Sequence, residues 1–191
     1  SLKNIYPGSA LKPVLLQKST QKADIKSLLT SCNSIIQIIN HAETDYDDPM
    51  SSYISLSNVQ LKANSLSNRA SATEKSARLT LGEILQLPTP IQADTVILSA
   101  CKTGVGSFRL GEAPLSLAWG FLQAGAQRCI STSWNVNAEV TMNLSTKYHT
   151  IKKQTTGLTV NASALRDAQL EIKKQYPHPY YWAGFALWGI E

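Results

Sequence analysis

An α/β fold built on a mostly parallel central sheet is what this 191-residue chain predicts, and three observations carry that expectation. Strand candidates recur at 34–40, 95–100 and 128–133, the first two built on apolar runs and each of strand length. Segments with apolar residues at helical spacing stand between and after them, at 20–29, 113–124 and 163–176. Glycine and proline punctuate the changes, as at Pro88, Pro90, Gly104, Gly106 and Gly125. Strands alternating with helices favour a parallel or mixed sheet with helices on both faces. Nothing in the composition divides the chain, so residues 1–191 are read as a single domain.

The elements are expected in this order. Residues 1–20 hold Pro7, Gly8 and Pro13 and read as irregular, with a short strand at 13–16. Thr20 is a candidate N-cap for a helix running through Leu28 and Leu29. The strand at 34–40 follows, then a loop with Asp45, Asp47 and Asp48 that closes at Pro49. Residues 53–57 alternate and read as a strand, paired in a hairpin with the weakly patterned stretch after it. Residues 62–78 are rich in Ser, Asn, Ala and Lys and read as an exposed loop. A short helix at 79–87 stops at Pro88, because the residue before a proline is pushed out of helical geometry.

Val96, Ile97 and Leu98 are continuous rather than alternating with polar residues, as in a strand buried on both faces. The helix expected at 113–124 has Pro114 in its first turn and Gly125 after its end. A strand at 128–133 comes next, then a helix capped by Asn137 that runs through Tyr148. After the helix at 163–176, the aromatic and apolar segment 181–190 reads as the last strand.

Composition excludes several function classes. Hydrophobic residues make up 43% and charged residues 16%, a globular balance. No apolar stretch approaches the roughly 20 residues that span a bilayer, and no signal peptide opens the chain. The net charge of +5 comes from scattered lysines and arginines with no interleaved aromatics, so a solvated basic surface is expected and no direct nucleic-acid contact. Cys32, Cys101 and Cys129 are odd in number and widely spaced, which argues against a disulfide framework and suits a reducing, cytoplasmic setting. Neither a Cys-x-x-Cys pair nor a His pair at helical spacing occurs, so neither metal nor cofactor is expected.

The chemistry is expected at two strand ends. Cys101 follows the run 95–100 and precedes a loop with Gly104 and Gly106. His41 follows the run 34–40. Open α/β sheets bind ligands at the carboxyl ends of their strands. A cysteine is a useful nucleophile only as a thiolate, and an adjacent imidazole produces one at neutral pH. The same imidazole later protonates a leaving amine. Backbone N–H groups near His41 and at Cys101 itself are candidates for an oxyanion hole.

The ordered segments around these residues resemble one family, the CHAT domains, which are caspase-like modules often attached to TPR repeats and related to separases, caspases and gingipains. VILSACKTGVG at 96–106 resembles the family's cysteine strand and loop, and IINHA at 38–42 its histidine strand. Gly111, Glu112, the Ser116 to Ala118 stretch and FLQAGA at 121–126 resemble the helix that follows the cysteine. STSWNV at 131–136 with Thr141, then Ala164, Leu165, Ala168 and Gln169, and PYYWAGFALWG at 179–189, resemble the remaining signatures. The resemblance implies a three-layer α/β/α caspase-like fold, with His41 as general base and acid and Cys101 as nucleophile for peptide-bond hydrolysis. It also implies that the chain is the carboxyl-terminal part of a longer protein, with a TPR or amino-terminal caspase-like segment upstream as its partner. A catalytically inactive CHAT-like module for protein–protein interaction is a second reading, and a hydrolase of esters or thioesters a third.

Departures from the family pattern bear on the site. Many relatives have glycine after the histidine, where this chain has Ala42. Alanine keeps its N–H, so Ala42 and Cys101 serve as the oxyanion hole provided the backbone there needs no positive φ. Some basic-specific relatives carry an acid two residues before the cysteine, where this chain has Ser99, which argues against cleavage after Arg or Lys. Asn137 stands where relatives have an acid and caps a helix equally well. Trp134 is expected to wall a substrate pocket. Glu112 either lines that pocket or favours the start of the 113–124 helix, the second being preferred. The Asp45–Asp48 charges are read as solvated, the aromatics Tyr180, Tyr181, Trp182, Phe185 and Trp188 as core packing, and His149 and His178 as incidental.

Overall fold

The computed structural model describes residues 14–16, 22–32, 34–56, 77–99, 104, 106, 115–154 and 160–190, with only the backbone at 14–16 and 160. A five-stranded sheet runs in the order β1 (Val14–Leu16), β2 (Ile35–Ile38), β6 (Thr95–Leu98), β7 (Arg128–Thr132), β8 (Phe185–Gly189). The first four strands are parallel, and β8 is antiparallel to β7. A separate antiparallel sheet holds β3 (Ala42–Glu43), β4 (Tyr53–Ser55) and β5 (Arg78–Thr80) in that order.

Strand periodicity divides the core. Ile36 and Ile38 on β2, Val96 and Leu98 on β6 and Cys129 on β7 join one apolar cluster. It is completed by α1 (Lys22–Ser31), α2 (Leu81–Leu85) and α3 (Leu117–Gln123), through Ile25, Leu29, Leu81, Ile84 and Phe121. Ile35, Ile97 and Ile130 point the other way, toward α4 (Ala138–Gln154) and α5 (Val160–Gln175). Side chains alternate along a strand, so each strand supplies both cores and is buried on both faces, with Gln37, Thr95, Ser131 and Thr132 as buried polar positions among the apolar ones. The three layers expected from the sequence are therefore present.

Local chemistry sets the boundaries. The helix expected at 79–87 spans only Leu81–Leu85, because Leu79 and Thr80 are taken by β5. Thr80 and Glu83 form a capping box, each side chain bonding the other's backbone N–H. The loop expected at 62–78 lies mostly outside the described residues, but Arg78 belongs to β5 and is buried, its guanidinium 4.3 Å from the Tyr53 ring centroid. The strand at 53–55 pairs with β5 on one side and with β3 before it on the other, so the expected hairpin is the middle of a three-stranded sheet.

The helix expected from 113 begins instead at Leu117. Ser116 is its N-cap, with an extended backbone and a side chain accepting the Trp119 N–H. Gly125 ends it with φ +115°, a conformation that side chains resist. Asn137 caps α4 as expected, its Oδ1 accepting the N–H groups of Glu139 and Val140, but that helix continues past Tyr148 to Gln154. The last strand starts at Phe185, not 181, since Pro179–Tyr181 is a 3-10 turn.

Candidate active site

β2 and β6 are neighbours, parallel and paired Ile35↔Thr95 through Ile38↔Leu98. The Ser99 N–H extends the ladder, donating to the Ile38 carbonyl at 2.9 Å. Both chains therefore leave the sheet at the same end. His41 stands three residues beyond Ile38, exposed, with its carbonyl accepting the Ser55 N–H at 2.8 Å. That bond ties the end of β2 to the small sheet. Ala42 opens β3 opposite Ile54, so its backbone is extended and glycine is not required there. Cys101 and Glu112 lie outside the described residues. The start of α3 at Ser116 and Leu117 removes the reason for assigning Glu112 to a first helical turn.

Trp134 follows β7 at this same end. Its Nε1–H donates to the Tyr180 carbonyl at 2.9 Å. The Ser133 N–H donates to the Gly184 carbonyl at 2.9 Å, so the segments on either side of β7 and β8 are joined above the ladder. Of the aromatics expected to be core, Phe185 is buried and Tyr181 and Trp182 pack against the second cluster. Tyr180 and Trp188 remain 44% and 41% exposed, so these two are surface residues. Asp45 turns its carboxylate back on the chain, accepting the N–H groups of Asp47 and Asp48 at 3.0 and 2.9 Å. His178 caps the 3-10 turn through Nδ1, which accepts the Tyr180 N–H.

Beneath the strand ends lies a buried polar cluster that sequence reasoning missed. Gln37 is fully buried on β2, facing α4. Its Nε2 donates to Ser145 Oγ at 2.7 Å and to Ser99 Oγ at 3.2 Å. Its Oε1 lies 2.9 Å from Nε2 of His149, which must carry the proton because a carbonyl oxygen only accepts. His149, expected to be incidental, is thus fully buried and engaged. Burial, together with the nearby Lys152 charge, lowers its pKa to about 4 and keeps it neutral. Two signals were present in the sequence: one polar residue inside the apolar run 34–40, and Ser145 and His149 four apart on one helix face. Ser99 directs its hydroxyl into this cluster.

The thiols differ in environment. Cys129 is buried in the first core, and desolvation raises its pKa strongly, whereas Cys32 is half-buried. Among the described residues no three His, Cys, Asp or Glu side chains are grouped to hold a metal, and no helix is long and apolar enough to cross a membrane.

The family model for the CHAT domain matches residues 3–190. The chain belongs to the CHAT domain family. Solved structures that resemble this CHAT domain include two of gingipain R. One is the complex of the Porphyromonas gingivalis RgpB pro- and mature domains, with a TM-score of 0.62 and 11% identity. The other is the crystal structure of the Arg-specific cysteine proteinase gingipain R, with a TM-score of 0.60 and 11% identity. Each match covers 91% of the CHAT domain, which spans only 37% and 36% of those chains. No curated protein matches by sequence. At such identity the likeness carries the fold, a cysteine peptidase-like α/β architecture.

Proposed function

We propose that this CHAT domain is a cysteine endopeptidase that cuts a protein substrate through a His41–Cys101 dyad. The supporting observation is the register Ile38↔Leu98 between adjacent parallel strands. His41 follows its member of that pair by three residues and Cys101 follows the other by three. In this reading, two strands that leave the same end of the sheet with equal lead bring imidazole and thiol within mutual reach.

The reaction needs no other reagent than water. The Cys101 thiolate attacks the scissile carbonyl carbon while His41 holds the thiol proton. The N–H groups of Ala42 and Cys101 bind the oxyanion. Collapse breaks the C–N bond as His41 protonates the leaving amine, giving a thioester. Water, deprotonated by His41, then hydrolyses that thioester and restores the thiol. In this reading Trp134, fixed to Tyr180 at the same end of the sheet, walls the substrate groove, with Glu112 and Ser99 at its margin. The domain acts in the cytoplasm as the effector end of a TPR-containing protein.

Iodoacetamide labelling at several pH values, resolved by mass spectrometry for each cysteine, tests the dyad. Fast labelling of Cys101 with an apparent pKa well below that of Cys32, lost in His41→Ala, supports it, and cleavage of a peptide library would follow. Slow labelling indifferent to His41 sinks it.

A further inference from the structure

The geometry points to Gln37 as a positioning residue that locks the carboxyl ends of β2 and β6 together, with His149 of α4 as its anchor. This rests on the dyad reading, because the strand ends it locks are those that lead to His41 and Cys101. Gln37 lies on β2, four residues before His41, and Ser99 lies just past β6, two residues before Cys101. One carboxamide bridges them through Nε2 and Ser99 Oγ at 3.2 Å. The same group reaches α4 twice, through Ser145 Oγ at 2.7 Å and His149 Nε2 at 2.9 Å.

A polar side chain at 0% exposure inside a strand that is otherwise apolar is costly unless all its hydrogen bonds are made. Here both N–H groups and the carbonyl have partners, at the end of β6 and on α4. An isoleucine or valine would fill the position without that requirement. What the amide adds over an apolar residue is direction: it fixes the sheet's strand ends relative to α4 and holds Ser99 in one rotamer. His149 suits the anchor role because, neutral and buried, it presents a single N–H to Oε1. Dyad chemistry is sensitive to such placement, since a shift of about 1 Å costs on the order of 100-fold.

The test uses the whole chain and reads the labelling rate and apparent pKa of Cys101, with Cys32 as internal control and the melting temperature as a check of folding. Gln37→Met, His149→Leu and Ser99→Ala are each expected to slow Cys101 labelling at pH 7 by about tenfold or more and to raise its apparent pKa. Cys32 keeps its rate. His149→Gln, whose amide N–H can still donate to Gln37 Oε1, is expected to recover most of the wild-type rate. If Gln37→Met does not fold, Ser99→Ala decides, because it removes one hydroxyl at a half-buried strand end. Wild-type labelling in all these folded variants, with His41→Ala alone slowing Cys101, overturns the positioning role and leaves the dyad standing. If Cys101 in the wild type is slow and indifferent to His41→Ala, the dyad fails and the assignment to Gln37 falls with it.

Discussion

Trp134 packs over Gly184 so closely that a Cβ on that glycine would stand 2.8 Å from the indole Cε2 and 3.0 Å from Nε1. An indole is rigid, so the contact cannot be relieved by bending a side-chain end. Gly184→Ala is therefore expected to rotate Trp134 and break its bond to the Tyr180 carbonyl. Overpacking of this kind costs about 1–3 kcal/mol. Chemical denaturation reads the cost, and near-ultraviolet circular dichroism reads the ring movement. An unchanged aromatic spectrum would show that Trp134 is not held this way.

Cys32 and Cys129 are predicted to separate cleanly in native labelling. Cys129 has no exposed surface and its thiol is desolvated, so the thiolate is strongly disfavoured. It should stay unmodified in the folded protein and react fully in denaturant. Cys32, half-buried, should be modified in the folded protein. Mass spectrometry of tryptic peptides distinguishes the two.

His149 predicts acid lability. Its folded pKa, about 4, lies below the ordinary 6.5, through burial first and the Lys152 charge second. The unfolded chain then binds the extra proton at higher pH than the folded one, so stability is complete above pH 6.5 and falls as pH drops toward 4. The fall amounts to about 3 kcal/mol at most. Urea midpoints measured from pH 7 to 4 should show this slope, and His149→Gln should flatten it. A wild type with a level profile would mean that His149 titrates normally.

Asp94 adds a second window at lower pH. It bonds Arg128 at 2.6 Å and Lys152 at 3.2 Å at the opposite end of the sheet from His41. Burial works to raise its pKa, but the Thr95 hydrogen bond and the Lys152 and Arg128 charges outweigh that and hold it below 3.8. Its contribution is present above 3.8 and lost as pH falls through the lower folded value. Asp94→Asn should cost about 1 kcal/mol at pH 7, given that the carboxylate is partly exposed. The difference from wild type should vanish under strong acid, as thermal melts across that range would reveal.

Ile54 joins the small sheet to the first core, with 0% exposure and a register opposite Ala42. Ile54→Ala is expected to lose about 2–5 kcal/mol. Because the neighbouring Ser55 N–H holds the His41 carbonyl, amide exchange at 41–43 should quicken in that variant. Protection that survives would separate His41 from the small sheet.

Strand runs were legible where two-sided burial makes a strand mostly apolar, as at 96–98. Helix ends were less legible. Apolar spacing from 113 onward resembled one helix, yet Ser116 satisfies the Trp119 N–H and starts it at Leu117. Leu79 reads equally as helix or strand in isolation, and pairing with Ile54 decides it. The pairing of β4 with β3 was invisible because two residues are too short for any period to show.

The sequence by itself determined the α/β class and the family and nominated His41 and Cys101, because periodicity, glycine placement and motif order are local properties of the chain. Only the tertiary structure decided that β2 and β6 are neighbours in register, that β8 runs antiparallel, and that Gln37, Ser99, Ser145 and His149 form one buried cluster. The last two partners lie 108 and 112 residues from Gln37 along the chain. A hydrogen bond over such a separation leaves no periodic trace in sequence; it exists because packing α4 onto the sheet brings polar groups together away from water, where each must find a partner.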